Sequence, residues 1–182
     1  MNIVLIGYRC CGKTTVGQDL ARELGRYFVD SDRFVEEKTG CPVEAIIRRM
    51  GWNHFRQLEK ESVGEISRKD NLVVATGGGV VLDGENASRL KRNGWVVWLK
   101  GRAEVLRERM DRDQRLDKIR PPLTGNDPLE EIILVSEQRN ALYEQAANFT
   151  VDTSDFSIKD VADSIIKAFR KNGGRKRSHG VR

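Results

Sequence analysis

The chain has 182 residues, 38% of them hydrophobic, and a formal net charge of +5. That length suits one globular domain with its own core, and no run of residues approaches the roughly 20 apolar positions of a membrane span. The whole net charge sits in "KNGGRKRSHGVR", residues 171–182, where Lys171, Arg175, Lys176, Arg177 and Arg182 face no acid, so the basic balance belongs to a tail and not to a face of the fold.

Taken in chain order, short apolar runs alternate with longer amphipathic ones. "NIVLIG" (2–7) is a continuous branched run, as a strand covered on both faces should be. No basic segment precedes it, so it reads as a buried strand and not a signal peptide, and the expected location is the cytoplasm. "KTTVGQDLARELG" (13–25) places Val16, Leu20 and Leu24 at helical spacing before a glycine stop. "YFVD" (27–30), "NLVVATGGG" (71–79), "WVVWLK" (95–100) and "NFTVD" (148–152) read as further strands. Helical patterns occupy 32–39, 43–50, 53–68, 84–92, 103–111, 128–146 and 157–171. Asp127-Pro128, followed by Glu130 and Glu131, marks one helix start clearly. Between two of the helices lies 112–126, "RDQRLDKIRPPLTGN", whose Pro-Pro and Gly-Asn turns and several basic residues read as a long mobile lid loop.

Strands separated by helices predict an α/β fold of three layers: a five-stranded parallel sheet with helices on both faces. Residues 1–171 form the expected domain. Residues 172–182 form a disordered tail, read as a solvated terminus, with an anion- or nucleic-acid-binding arm as the alternative. In such sheets ligands bind beyond the carboxyl ends of the strands, so chemistry should appear just after strand-like runs. Neither the cysteines (Cys10, Cys11, Cys41) nor the histidines (His54, His179) have the spacing of a disulfide framework or a zinc site.

Directly after the first strand, Gly7-Tyr8-Arg9-Cys10-Cys11-Gly12-Lys13-Thr14 fits G-x-x-x-x-G-K-[ST]. Glycines let backbone N–H groups wrap a phosphate, and the following helix adds its partial positive charge. The expected ATP contacts are Gly7, Cys10, Cys11, Gly12, Lys13, Thr14 and Thr15, with Lys13 on the β- and γ-phosphates and the Thr14 hydroxyl on Mg²⁺. Cys10 and Cys11 read as small filler in the loop's variable stretch, with oxidation sensitivity as a by-product.

The other candidates carry bland alternatives. In "VDSDRF", Asp30 and Asp32 end a strand near the phosphate loop; one suits hydrated Mg²⁺ and the other an attacking hydroxyl, although Ser31 or Asp32 could simply cap the next helix. Arg56 and Glu59 in "FRQLE" could be a surface ion pair, and Arg139 a solvated helix residue. Gly77, Gly78 and Gly79, three glycines after a buried strand, invite close approach to the backbone. Arg120 in "IRPPL" could reach a transferred phosphoryl group. Two separated arginines suit a small carboxylated acceptor, because guanidinium grips carboxylate through two hydrogen bonds.

The ordered set GxxxxGKT, DSD, FRxxE, GGG, RPPL and RxxxY resembles the shikimate kinases, across roughly residues 1–170. The resemblance implies a P-loop NTPase fold of the nucleoside monophosphate kinase type, with a mobile lid. It also implies ATP- and Mg²⁺-dependent phosphorylation of the 3-hydroxyl of shikimate in aromatic amino acid biosynthesis. By the same resemblance, shikimate is bound by Asp32, Arg56, Gly77, Gly78, Gly79 and Arg139. The catalytic residues are Lys13, Asp32 and Arg120; Asp32 either orients the hydroxyl or takes its proton. Asp30 meets the metal through water beside Thr14, Arg120 also contacts ATP, and Arg109 stacks on adenine, with Arg107 or Arg112 as substitutes. The chain departs from many relatives in having Pro121-Pro122 after the lid arginine, and Ile158 where some carry proline. A monomer without nucleic-acid or membrane partners is expected. Rival readings are another small-molecule kinase of this fold, such as a gluconate kinase, and a nucleotide-sensing module that uses the tail.

Overall fold

The structure, a computed structural model, describes residues 1–112 and 127–172. Five strands, β1 (Asn2–Ile6), β2 (Tyr27–Asp30), β3 (Leu72–Ala75), β4 (Gly94–Lys100) and β5 (Phe149–Asp152), pair in the order β2-β3-β1-β4-β5, every pairing parallel. The helices are α1 (Lys13–Leu24), α2 (Ser31–Thr39), α3 (Val43–Ile66), α4 (Gly84–Arg92), α5 (Ala103–Arg112), α6 (Pro128–Ala146) and α7 (Ile158–Asn172), with a 3₁₀ turn at Val80–Leu82.

The strands read as continuous apolar runs because both faces of the sheet are covered. Alternate residues go to opposite layers. Ile3, Leu5, Val97 and Leu99 pack with Val16 and Leu20 of α1 and Val161 and Ile165 of α7. Val4, Ile6, Val96 and Trp98 pack with Val63 and Ile66 of α3, Leu90 of α4 and Tyr143 of α6. Burying each such side chain stabilises the fold by about 1.5–3 kcal/mol. A separate small cluster, Val35, Val43, Ile46, Ile47 and Phe55, joins α2 to α3 beside the sheet. The arrangement is the three-layer α/β fold expected. Among the described residues, no helix is long and apolar enough to cross a membrane.

Several boundaries differ from the sequence expectation, most by one or two residues at an element's end, and four of them bear on the site. The run 71–79 is a strand only over Leu72–Ala75, because the Thr76 hydroxyl turns back to donate to the Leu5 carbonyl at 3.0 Å and the glycines turn away. The separate helices expected over 43–50 and 53–68 join into α3, broken at Gly51, whose φ of 81° and ψ of 170° lie outside helical space and suit only glycine. Helix α2 starts at Ser31, capped by Asp30 and not by Ser31 or Asp32. Arg112 ends α5 and is not loop; the remainder of the expected lid, with Arg120, lies outside the described residues, as does the tail beyond Asn172.

Candidate active site

The phosphate loop leaves the carboxyl end of β1. A Cβ on Gly7 would stand 2.3 Å from the Leu99 carbonyl oxygen of β4, so the loop can pass this close only as glycine. Gly12 caps α1 in the left-handed region at φ 94°, and no side chain accepts from the first helical N–H groups; those donors and the helix dipole point at the loop's concavity. Lys13 folds over the loop, its Nζ donating to the carbonyls of Gly7 at 2.9 Å and Tyr8 at 2.7 Å. The two cysteines separate. Cys11 is buried and packs into the core beneath the loop, whereas Cys10 is half-buried and holds a φ of 62°; both border the cavity above the loop.

Asp30 has two functions. Its Oδ1 accepts from the N–H groups of Asp32 at 3.0 Å and Arg33 at 3.4 Å, and its Oδ2 accepts from the Thr14 hydroxyl at 3.0 Å. With Asp30 as the cap, Asp32 is left to face the cleft. Thr14 and Asp30 make an all-oxygen donor pair beside the phosphate loop, which fits Mg²⁺, a cation bound through one or two protein oxygens plus phosphates and water.

The triple-glycine turn is the seam of the site, and each glycine admits a different neighbour. A Cβ on Gly77 would meet Asp32 Oδ1 at 2.7 Å and Glu59 Oε1 at 2.9 Å, and one on Gly78 would meet the Gly7 carbonyl oxygen at 3.4 Å. One on Gly79 would meet the Arg56 guanidinium. Beneath the turn, Ser31 Oγ accepts from the Gly77 N–H at 3.0 Å. The Gly78 carbonyl accepts from Arg139 Nη1 at 3.3 Å and from the Tyr143 hydroxyl, one helical turn along α6. Burial pushes the Tyr143 hydroxyl above the usual tyrosine range, so it remains a neutral donor.

Arg56 and Glu59 are not a surface pair. Glu59 is 1% exposed and holds Arg56 Nη1 at 2.8 Å, while the rings of Trp52 and Phe55 stand 5.3 and 5.4 Å from the guanidinium carbon. A cleft of about 520 Å³ gathers Asp32, Arg56, the three glycines and Arg139 against Trp52 and Phe55. A second of about 1240 Å³ holds Cys10 to Thr15, Asp30, Arg109, Thr153, Phe156 and Ile158. Arg109 donates to Thr153 Oγ1 at 3.0 Å and to the Cys10 carbonyl at 3.5 Å, tying the loop after β5 to the phosphate loop. Of the two proposed substitutes, Arg107 is engaged with Asp111 at 2.8 Å and Arg112 with Glu108 at 3.5 Å.

Thus the site residues expected from sequence line two adjoining cavities at one edge of the sheet, apart from Gly7, which opens the phosphate loop behind them, and Arg120, which lies outside the described residues. The sequence reading missed Tyr8, Arg9, Trp52, Phe55, Thr153 and Phe156. Trp52 and Phe55 carried a signal, aromatics within a helical turn of an arginine; Phe156 carried a weaker one, an apolar ring just after a strand.

Comparison with known proteins points to one family. A family model described as shikimate kinase matches residues 9–170. The chain is 41% identical over 174 residues to the shikimate kinase of Caldanaerobacter subterraneus subsp. tengcongensis, covering 96% of this chain and 99% of that one. It is 43% identical over 175 residues to that of Symbiobacterium thermophilum, with the same coverage of 96% and 99%. Among solved structures, the shikimate kinase of Acinetobacter baumannii in complex with shikimate superposes with a TM-score of 0.88 at 36% identity, covering 94% of this chain and 93% of that one.

Proposed function

The chain belongs to the shikimate kinase family, and we propose that it transfers the γ-phosphoryl group of ATP to the 3-hydroxyl of shikimate, giving shikimate 3-phosphate and ADP. Phosphoryl transfer asks a protein mainly for positioning and charge stabilisation. The larger cavity takes the nucleotide, with its phosphates on the N–H groups of the loop and α1. Lys13 moves from the Gly7 and Tyr8 carbonyls onto the β- and γ-phosphates. Thr14, and Asp30 through water, would hold Mg²⁺, which would supply neutralisation of phosphate charge when bound. Arg109 and Phe156 flank the base. In the smaller cleft, Arg56 and Arg139 grip the acceptor's carboxylate, the Gly77–Gly79 backbone lies against its ring, and Asp32 accepts the hydrogen bond of the attacking hydroxyl and then its proton. We assign Arg120 to the transferring phosphoryl group on the family resemblance of its motif. The reaction belongs to aromatic amino acid biosynthesis and is carried out by a cytoplasmic monomer.

One observation carries the reading: Arg56 and Arg139 converge on the triple-glycine turn from different helices, in the same cleft as Asp32. Loss of a charge-assisted hydrogen bond costs about 1.5–3 kcal/mol, or roughly 10- to 100-fold. Arg139→Ala should therefore raise the shikimate KM by that factor and leave the ATP KM within about twofold. Equal rises in both would contradict carboxylate binding by this residue.

A further inference from the structure

Arg9 stands at a variable position of the phosphate loop, yet its surroundings are specific. Its Nη2 is ion-paired with Glu131 in the first turn of α6, and the two side chains are 10% and 4% exposed. Its Nε donates to the Tyr8 hydroxyl at 3.2 Å. Its backbone nitrogen lies 3.5 Å from where a Gly78 Cβ would be, so phosphate loop and glycine turn meet at this residue. Among the described residues, only Arg9 and Asp32 border both cavities. These two side chains therefore stand where the nucleotide cavity and the acceptor cleft adjoin.

A buried ion pair is weak evidence for stability, since desolvation offsets the attraction; holding a loop to a helix does not by itself call for one. A guanidinium carries five N–H donors, and Glu131 and Tyr8 engage two groups on one side of the fork, leaving donors for a further anion. Its position selects that anion.

Resting on the reading that this site phosphorylates shikimate, we propose that Arg9 is a further catalytic residue, which binds the γ-phosphoryl group throughout its crossing, and that Glu131 is a positioning residue that aims it. The acceptor oxygen forms its bond to Pγ as the bond from Pγ to the bridging oxygen breaks. ADP leaves with that electron pair, and the hydroxyl proton passes to Asp32. Arg9 donates hydrogen bonds to non-bridging oxygens before and after transfer. It therefore favours the phosphorylated acceptor over the unphosphorylated one, which a structural staple would not.

The test uses the full chain with Arg9→Gln, Arg9→Lys, Glu131→Gln and the double variant Arg9→Gln/Glu131→Gln. Arg9→Gln should lower kcat about 100-fold, the scale of losing one transition-state donor. Its affinity for shikimate should stay within about twofold, while that for shikimate 3-phosphate falls about tenfold. Glu131→Gln should lower kcat about tenfold, and the double variant should be no slower than Arg9→Gln, because both act through one group. Equal losses of affinity for shikimate and its phosphate, a kcat within about threefold of wild type, or multiplying effects in the double variant would each overturn the proposal. If Arg9→Gln does not fold, Arg9→Lys, which keeps the charge and the stem, decides on the same product-to-substrate affinity ratio. Wild-type turnover of shikimate, measured alongside, tests the underlying function separately.

Discussion

A Cβ on Gly79 would stand 2.2 Å from Nη2 of Arg56 and 2.7 Å from its guanidinium carbon. The colliding group is the end of a long side chain, so Gly79→Ala should fold normally and displace the arginine from Glu59. The shikimate KM is expected to rise about tenfold or more, with the ATP KM within about twofold. Steady-state kinetics with each substrate varied reads this directly; parallel rises in both KM values would show a general distortion instead.

Asp30 is both helix cap and metal partner, and one substitution separates the two. Asparagine caps about as well as aspartate, so Asp30→Asn should keep the melting temperature within about 2 °C. It removes the negative charge beside Thr14, and the Mg²⁺ concentration for half-maximal rate should rise about tenfold. An unchanged Mg²⁺ requirement would remove Asp30 from the metal site.

Cys10 holds a left-handed φ of 62° without being glycine. That conformation costs an L-residue roughly 1–2 kcal/mol, against a smaller entropic cost for glycine. Cys10→Gly should stabilise the protein by about 1 kcal/mol, a melting-temperature rise of about 2–4 °C for a chain of this size. A lower melting temperature would mean that the thiol's own contacts outweigh the backbone strain.

The sheet is legible in the sequence because strands buried on both faces are unbroken apolar runs, and the phosphate loop because its backbone geometry demands a fixed spacing of glycines. The side-chain pairings are less so. "FRQLE" reads equally well as a surface pair; what decides it is the burial of Glu59 under the glycine turn, a tertiary fact. Arg9 looks like a free loop position because its partner, Glu131, lies 122 residues away. The break in α3 was expected as a gap around residues 51–52, and local pattern could not tell a gap between helices from a single glycine in extended geometry. Asp30 takes the capping role expected of Ser31 or Asp32 because α2 begins one residue earlier than its apolar pattern indicates, directly after β2.

The central claim, a kinase that uses shikimate as acceptor, is tested most directly by ADP release from the full chain with ATP and Mg²⁺ in the presence of shikimate, of gluconate, or of no acceptor. The account predicts shikimate-dependent release matched mole for mole by shikimate 3-phosphate, with the other two rates lower by about 100-fold or more, because the acceptor completes the site and water is a poor substitute. Equal release with gluconate, or without any acceptor, would contradict it.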